Sequence, residues 1–242
     1  MLISIVDVET TGLSPATDEV IEVGAVLYSV EHRAIVQQVS TLLPVISNPA
    51  EEVNGISAGL ADLCASPEPR DAALDLLRWF NSESEYLVAF NSDFDQQWFN
   101  GSVLPDWSVN GWWADAAAIR YPKPSTSRSL VALCVAHGIP VVSAHRALDD
   151  CRLLAALLGT VDDLAGELAR AARPKVLVRA LVGYDGREAA KAAGFYWNRD
   201  VPKDWARRMP IEDAGELPFE VVEVAPPTVG DVLGLTQAER DW

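Results

Sequence analysis

Cysteine is scarce in this chain. Its 242 residues hold three, Cys64, Cys134 and Cys151, isolated, odd in number and without metal spacing. This argues against a disulfide framework or a cysteine-ligated metal, and the thiols read as small buried hydrophobes. Long apolar runs are missing too, since none reaches the ~18 residues of a membrane-spanning helix. No basic region precedes the apolar stretch 2–6 and acids follow it at once, so the start does not read as a secretory signal. A reducing cytoplasm is the expected setting. Bases are also few, 19 Lys and Arg against 35 Asp and Glu, a formal charge of −16. A balance so acidic disfavours non-specific binding to nucleic acid. The average hides a split. Residues 170–208 carry ten bases and four acids, a net +6, which leaves −22 for the remainder.

What the chain does have is apolar residues, 49 % of the total, enough for a sizeable core. Strand patterns rich in Val and Ile run over 2–8, 19–29 and 34–43, with a short apolar strand at 86–90. Helical stripes or caps mark 70–80, 92–99 (with Asn91 or Ser92 as cap), 128–137 and 146–158. Strands first and helices after favour a mixed α/β sheet. A boundary near Arg173-Pro174 divides a domain over 1–170 from a small α+β module over 174–224. In the module, strands are expected at 175–184, 204–209 and 220–224, and a helix at 186–193. A tail, 225–242, closes the chain, and its "DVLGLTQAERDW" has the spacing of a short helix that docks elsewhere.

The chemistry lies in the acids. "SIVDVETTGL" places Asp7 and Glu9 directly after an apolar strand, where an ionised carboxylate is costly unless something pairs with it. Residues two apart on a strand face one side, so the two acids point together. Alone, they are either a solvated strand end or a cation site. In "AFNSDFDQQWF", Asp95 opens a helix behind a strand, where an acid also complements the helix N-terminus. That reading suffices for Asp93. In "AHRALDDCRLLAALL", His145 precedes a helix and Asp150 lies in its first turns. Taken together, three segments offer four carboxylates and one imidazole near strand or helix ends. All-oxygen ligands suit Mg²⁺ or Mn²⁺, and two such ions can clamp the oxygens of a phosphoryl displacement.

At this point "VDVETTGL", "FNSDFD" and "HRALDD" resemble, in order, the three motifs of DEDDh 3′→5′ exonucleases. These include exonuclease X and the proofreading epsilon subunit of replicative polymerases. The resemblance covers roughly residues 1–165, and the C-terminal module is outside it. It implies a ribonuclease-H-like domain, a mixed five-stranded sheet flanked by helices. It makes Asp7, Glu9, Asp95 and Asp150 ligands of two Mg²⁺ or Mn²⁺ ions, and His145 the general base. The Tyr-type branch would carry tyrosine where this chain has Arg146. "VNGIS" resembles the family's Val-His-Gly-Ile-Thr, so Ile56 and Leu13 would pack on the terminal base, ordinary packing being the other reading. Thr10 and Thr11 would meet the 3′ end. Two positions depart from the pattern. Phe90 stands for the histidine of the second motif and reads as strand core, and Asn54 stands for the histidine before Gly55. Both bear on substrate preference more than on chemistry.

The implied activity is metal-dependent release of nucleoside 5′-monophosphates from single-stranded or frayed DNA 3′ ends. An RNA 3′→5′ exonuclease and a polymerase-associated proofreading subunit are the alternatives. No membrane partner is expected. A protein partner at the module or tail, and a homodimer, stay open. The module interleaves its bases with Phe195, Tyr196, Trp197 and Trp205, which suits stacking on bases and pairing with phosphates. A domain of ~50 residues needs its few aromatics inside, which expects Trp197 and Trp205 in its core. Docking of its +6 segment on the acidic domain is the third reading.

Overall fold

The computed structural model describes residues 1–99, 112–125, 127–142, 145–198 and 201–225. The docking helix expected in the tail, within 226–242, lies outside them. The chain divides into two compact units, Met1–Ala172 and Arg173–Trp242. Among the described residues no helix is long and apolar enough to cross a membrane.

The first unit opens with three strands, β1 (Leu2–Thr10), β2 (Val20–Ser29) and β3 (Ala34–Leu42). Three helices follow, α1 (Glu51–Asn54), α2 (Ala58–Cys64) and α3 (Pro67–Glu83). Then come β4 (Tyr86–Ala89), α4 (Ser92–Trp98), β5 (Trp112–Asp115), α5 (Leu130–Ala136), α6 (Ala147–Leu158) and α7 (Leu164–Ala171). The strands form one sheet in the order β3-β2-β1-β4-β5. The first three pair antiparallel, and β4 and β5 continue parallel to β1. This is the mixed five-stranded, helix-flanked sheet expected.

Every residue of β2 is buried, as a largely apolar strand requires when both faces of a sheet are covered, and the burial includes Glu22 within the run. On β1 the two faces are distinct. Ile3 and Ile5 join Cys151, Leu154, Leu158 and Leu168 of α6 and α7. Val6 and Val8 join Leu77 and Phe80 of α3 with Trp98 of α4. The period of two therefore turns Asp7 and Glu9 toward the α6 side. The strand runs beyond the expected residue 8 because pairing persists, Asp7 opposite Gly24 and Glu9 opposite Glu22. The helix expected at 70–80 is longer, since Pro67 starts it from a position whose missing N–H costs nothing. Neither β5 nor α7 was legible as an element. Four residues make too short a run for β5. The stripe of α7, Leu164, Leu168 and Ala171, begins after Asp163, which accepts the Gly166 N–H at 3.0 Å.

The second unit holds β6 (Val176–Ala180), α8 (Arg187–Ala192), β7 (Tyr196–Trp197), β8 (Trp205–Met209) and β9 (Val221–Glu223). Its sheet is antiparallel, in the order β7-β8-β6-β9. The strand expected at 175–184 stops at Ala180, because Tyr184–Gly186 wind into a 3₁₀ turn that leads to α8. The core is Val178, Ala180, Ala190, Phe195 and Met209, with Phe219 edge-on to Phe195 at 5.3 Å. The expectation for the tryptophans is corrected here. Trp205 packs half-buried against this cluster, but Trp197 is 55 % exposed. Phe195 and its aliphatic neighbours already fill so small an interior.

Candidate active site

Asp7, Glu9 and Asp150 each offer a carboxylate oxygen, and the three oxygens lie within 4.8 Å of one another. β1 supplies the first two and α6 the third, 141 residues away along the chain from Glu9. Asp95, in the first turn of α4, is 2 % exposed. It stands outside the triad of close oxygens, yet its charge acts on Asp7 more than that of any other acid. Asn91 occupies the cap position of α4 in the left-handed region (φ 69°) but makes no side-chain cap bond. Its N–H donates instead to Asp115 Oδ1 at 3.0 Å, tying the start of α4 to β5. His145 is exposed, also left-handed (φ 64°), and its N–H points at Asp150 Oδ2 at 3.4 Å.

Two devices seat α6 beside the sheet, and neither was read from the sequence. Glu22 is almost wholly buried and faces Glu9 across β1 and β2, a like-charge pair that destabilises a sheet unless neutralised. Arg146 supplies the neutralising fork, Nε and Nη2 on the two Glu22 oxygens at 2.9 and 2.8 Å. Ser40 Oγ and the Ala147 N–H complete the set at 3.1 Å each. Glu22 thus caps α6, which has no side-chain cap of its own. The second device is Gly24. A Cβ there would stand 2.5 Å from the carbonyl carbon of Ala147 and from the Leu148 nitrogen, so only glycine lets the helix reach this depth. Both left a signal in the sequence. A carboxylate inside an apolar strand needs a partner, and a glycine inside a strand marks a close backbone approach.

The remaining expected site residues are Thr10, Thr11, Leu13 and Ile56. Thr10 and Thr11 are buried and serve the turn after β1. Thr10 Oγ1 donates to the Gly12 carbonyl at 2.5 Å, and Thr11 Oγ1 accepts the Glu19 N–H at 2.9 Å. Leu13 is 83 % exposed, whereas Ile56 is wholly buried among Ile21, Ala61 and Leu42. Ile56 is drawn inward because its loop closes over the end of β2.

Like charges without a counter-charge raise one another's pKa, and burial adds to the effect. Burial is the largest cause at all four carboxyls. Asp7 is pushed well above the ordinary carboxyl range, with Asp95, Asp150, Glu9 and Glu22 adding to its burial. Glu9 is raised to about 7, Asp150 and Glu22 acting against Arg146. Asp95 reaches about 8 although N–H groups at Asp95 and Val8 pull it down. Asp150 is raised despite the His145 N–H. Oδ1 of Asp95 and Oδ1 of Asp150 are buried with no hydrogen-bond partner, the situation a buried polar atom avoids unless something else satisfies it. Oxygen-only donors, orphaned lone pairs and mutually repelling anions fit a hard divalent cation.

Comparison with known proteins agrees. Residues 4–103 match a family model described as Exonuclease, and residues 176–224 one described as Domain of unknown function (DUF8626). The DNA polymerase III subunit epsilon of Treponema pallidum is 29 % identical over 164 residues, 64 % of this chain and 74 % of the relative. A structure of exonuclease X in complex with 5′ overhanging duplex DNA is similar at a TM-score of 0.52. It shares 26 % identity and covers 70 % of this chain and 97 % of that one. These matches support a DEDDh, DnaQ-like exonuclease family. A PolC-type DNA polymerase III of Thermotoga petrophila is 31 % identical over 159 residues, 62 % of this chain. The match spans 11 % of that much longer polymerase.

DEDDh exonucleases depend on divalent metal, and the carboxylate cluster here supplies donors for it. At the two departures from the DEDDh motifs, the structure gives each residue a packing role. Phe90 is partly buried against the α6-side core. Asn54 is buried, donates to the Thr10 carbonyl at 3.3 Å and accepts from the Ile56 N–H at 3.1 Å. It thereby ties the loop before α2 to the end of β1.

Proposed function

We propose that this chain is a 3′→5′ exonuclease that removes nucleoside 5′-monophosphates from single-stranded or frayed DNA ends. The observation that carries the reading is the convergence of Asp7, Glu9 and Asp150 oxygens within 4.8 Å, with Asp95 buried behind them. Asp7, Glu9 and Asp150 would hold two Mg²⁺ or Mn²⁺ ions, with Asp95 acting beside Asp7. When bound, such ions supply the positive charge that offsets a phosphodiester and the acidity that readies a water for attack. His145, at the mouth of α6, would take the proton of the attacking water. The bond to the departing 3′-oxygen breaks, leaving a strand one nucleotide shorter with a free 3′-hydroxyl. Likeness to an epsilon subunit supports a second reading, a proofreading component that works beside a polymerase.

The test is the full chain with Mg²⁺ or Mn²⁺ and end-labelled DNA and RNA oligonucleotides. A 5′ label should yield a ladder shortening from the 3′ end, with DNA cut faster than RNA, and EDTA should stop it. Cleavage that survives EDTA, or products that shorten from the 5′ end, would overturn the reading.

Gly24→Ala probes how α6 is seated. The added methyl meets backbone at 2.5 Å, so the helix must retreat and carry Asp150 with it. Misplacing a catalytic group by an ångström costs ~10²-fold in rate, and overpacking costs about 1–3 kcal/mol of stability. We expect both losses, in oligonucleotide hydrolysis and in urea unfolding. Activity within twofold of wild type would show that α6 does not depend on this contact.

A further inference from the structure

The second unit carries a pocket that the nuclease chemistry does not use. It is a cavity of about 420 Å³ lined by Val182, Gly183, Tyr184, Arg187, Trp197 and Trp205. Three of its six walls are aromatic. Tyr184 is 76 % exposed and Trp197 55 %, too much ring surface to leave in water without a purpose in so small a unit. The core does not need these rings, since Phe195, Val178, Met209 and their neighbours fill it. The Trp197 and Trp205 rings sit 5.8 Å apart at 56°, tilted rather than laid face to face, so they do not consume each other's faces. Cross-strand pairing of β7 and β8 places these two tryptophans opposite each other. The 3₁₀ turn before α8 brings Tyr184 to the same cavity.

The charge at the mouth selects the ligand. The Arg187 guanidinium lies over the Tyr184 ring, 3.9 Å from its centroid. Its only near acid among the described pairs is exposed Glu188, at 3.5 Å, a contact of little strength in water. Arg187 is the charged residue of the lining; Lys191 and Lys203 are near it along the chain, as are Asp185 and Asp204, the last paired with Arg179 at 3.1 Å. An aromatic cage for an ammonium group would exclude cations from its rim. Here a cation is built into the wall. Flat apolar rings beside positive charge complement a ligand with flat faces and an anionic backbone.

We propose that this pocket binds unpaired bases of a single nucleic-acid strand, stacking them on Trp197 and on the face of Tyr184 that Arg187 does not cover, while Arg187 pairs with the adjoining phosphate. The inference extends the nuclease reading, from which it takes the substrate class, to a second contact for that strand. Every base has a stacking face, so binding should be tolerant of sequence and weaken steeply with salt.

The test uses the full chain in EDTA, which prevents hydrolysis, with fluorescent single-stranded oligo-dT and oligo-U read by anisotropy. Trp197→Ala and Tyr184→Ala should each weaken binding about tenfold or more, and Trp197→Phe should keep most of it. Tyr184→Ala, at an exposed ring outside the core, serves if the tryptophan variant fails to fold. With metal present, both alanine variants should raise KM for long strands. They should leave hydrolysis of the p-nitrophenyl ester of thymidine 5′-monophosphate unchanged, so that failure of the nuclease and failure of this pocket are told apart. Tighter binding of dT than of U, or the reverse, would tell which strand the pocket prefers and supports the proposal in either case. Unchanged affinity in both alanine variants would overturn it. So would retained affinity together with loss of a stoichiometric protein partner, which would make the pocket a protein-docking site.

Discussion

Asp7→Asn should abolish most hydrolysis and at the same time make the EDTA-treated protein harder to unfold. Asparagine keeps the shape of Asp7 and removes its charge. That charge sits at the centre of the cluster, under the influence of Asp95, Asp150, Glu9 and Glu22. A cation held there is worth several kcal/mol of charge stabilisation in the transition state, so we expect a rate loss of ~10³-fold or more. With no cation present the same charge is a liability, because burial and its neighbours all oppose it. Its removal should therefore raise the melting temperature in EDTA and erase most of the rise that Mg²⁺ brings to wild type. A variant that keeps activity within tenfold, or that melts lower in EDTA than wild type, would contradict this account.

The same physics sets a pH dependence. In the folded chain Glu9 titrates at about 7 and Asp95 at about 8, against ordinary carboxyl values of ~4 in the unfolded chain. Between those limits the native state holds more protons than the unfolded one, so stability falls as pH rises. The stabilising proton is fully present below pH ~4 and is lost through the folded pKa values. Metal-free protein should thus melt lower at pH 8.5 than at 5.5, and Mg²⁺ should raise the melting temperature more at 8.5. Melting curves at the two pH values, with EDTA and with Mg²⁺, give the comparison directly.

His145→Ala should cut turnover by roughly 10²–10⁴-fold, the usual worth of a general base. His145 sits in the left-handed region at the entrance to α6, and its N–H points toward the carboxylate of Asp150. The residue itself is exposed. Unlike Asp7→Asn, this variant keeps all four carboxylates, so the Mg²⁺-dependent rise in melting temperature should survive while hydrolysis fails. That contrast separates a proton acceptor from a ligand. An unaltered rate on single-stranded DNA with Mg²⁺ would remove His145 from the mechanism.

Local pattern determined a good deal of this protein. The alternation along β1 was enough to set Asp7 and Glu9 on one side, because the side-chain period of a strand is two whatever the strand packs against. The stripe of α6 and the apolar run of β2 declared themselves in the same way, while the five-stranded sheet was implied by the resemblance of the three acidic motifs to DEDDh exonucleases. Tertiary structure decided what lies between segments far apart in sequence. Only the fold shows that Arg146 reaches back 124 residues to Glu22, and that α6 rests on the bare backbone of Gly24. It also draws Ile56 inward and leaves Trp197 outside a core already filled. The physical reason is the same in each case. Periodicity reports which side of an element is apolar, but burial, pairing and close approach depend on what the opposite element brings, and that is known only once the chain has closed on itself.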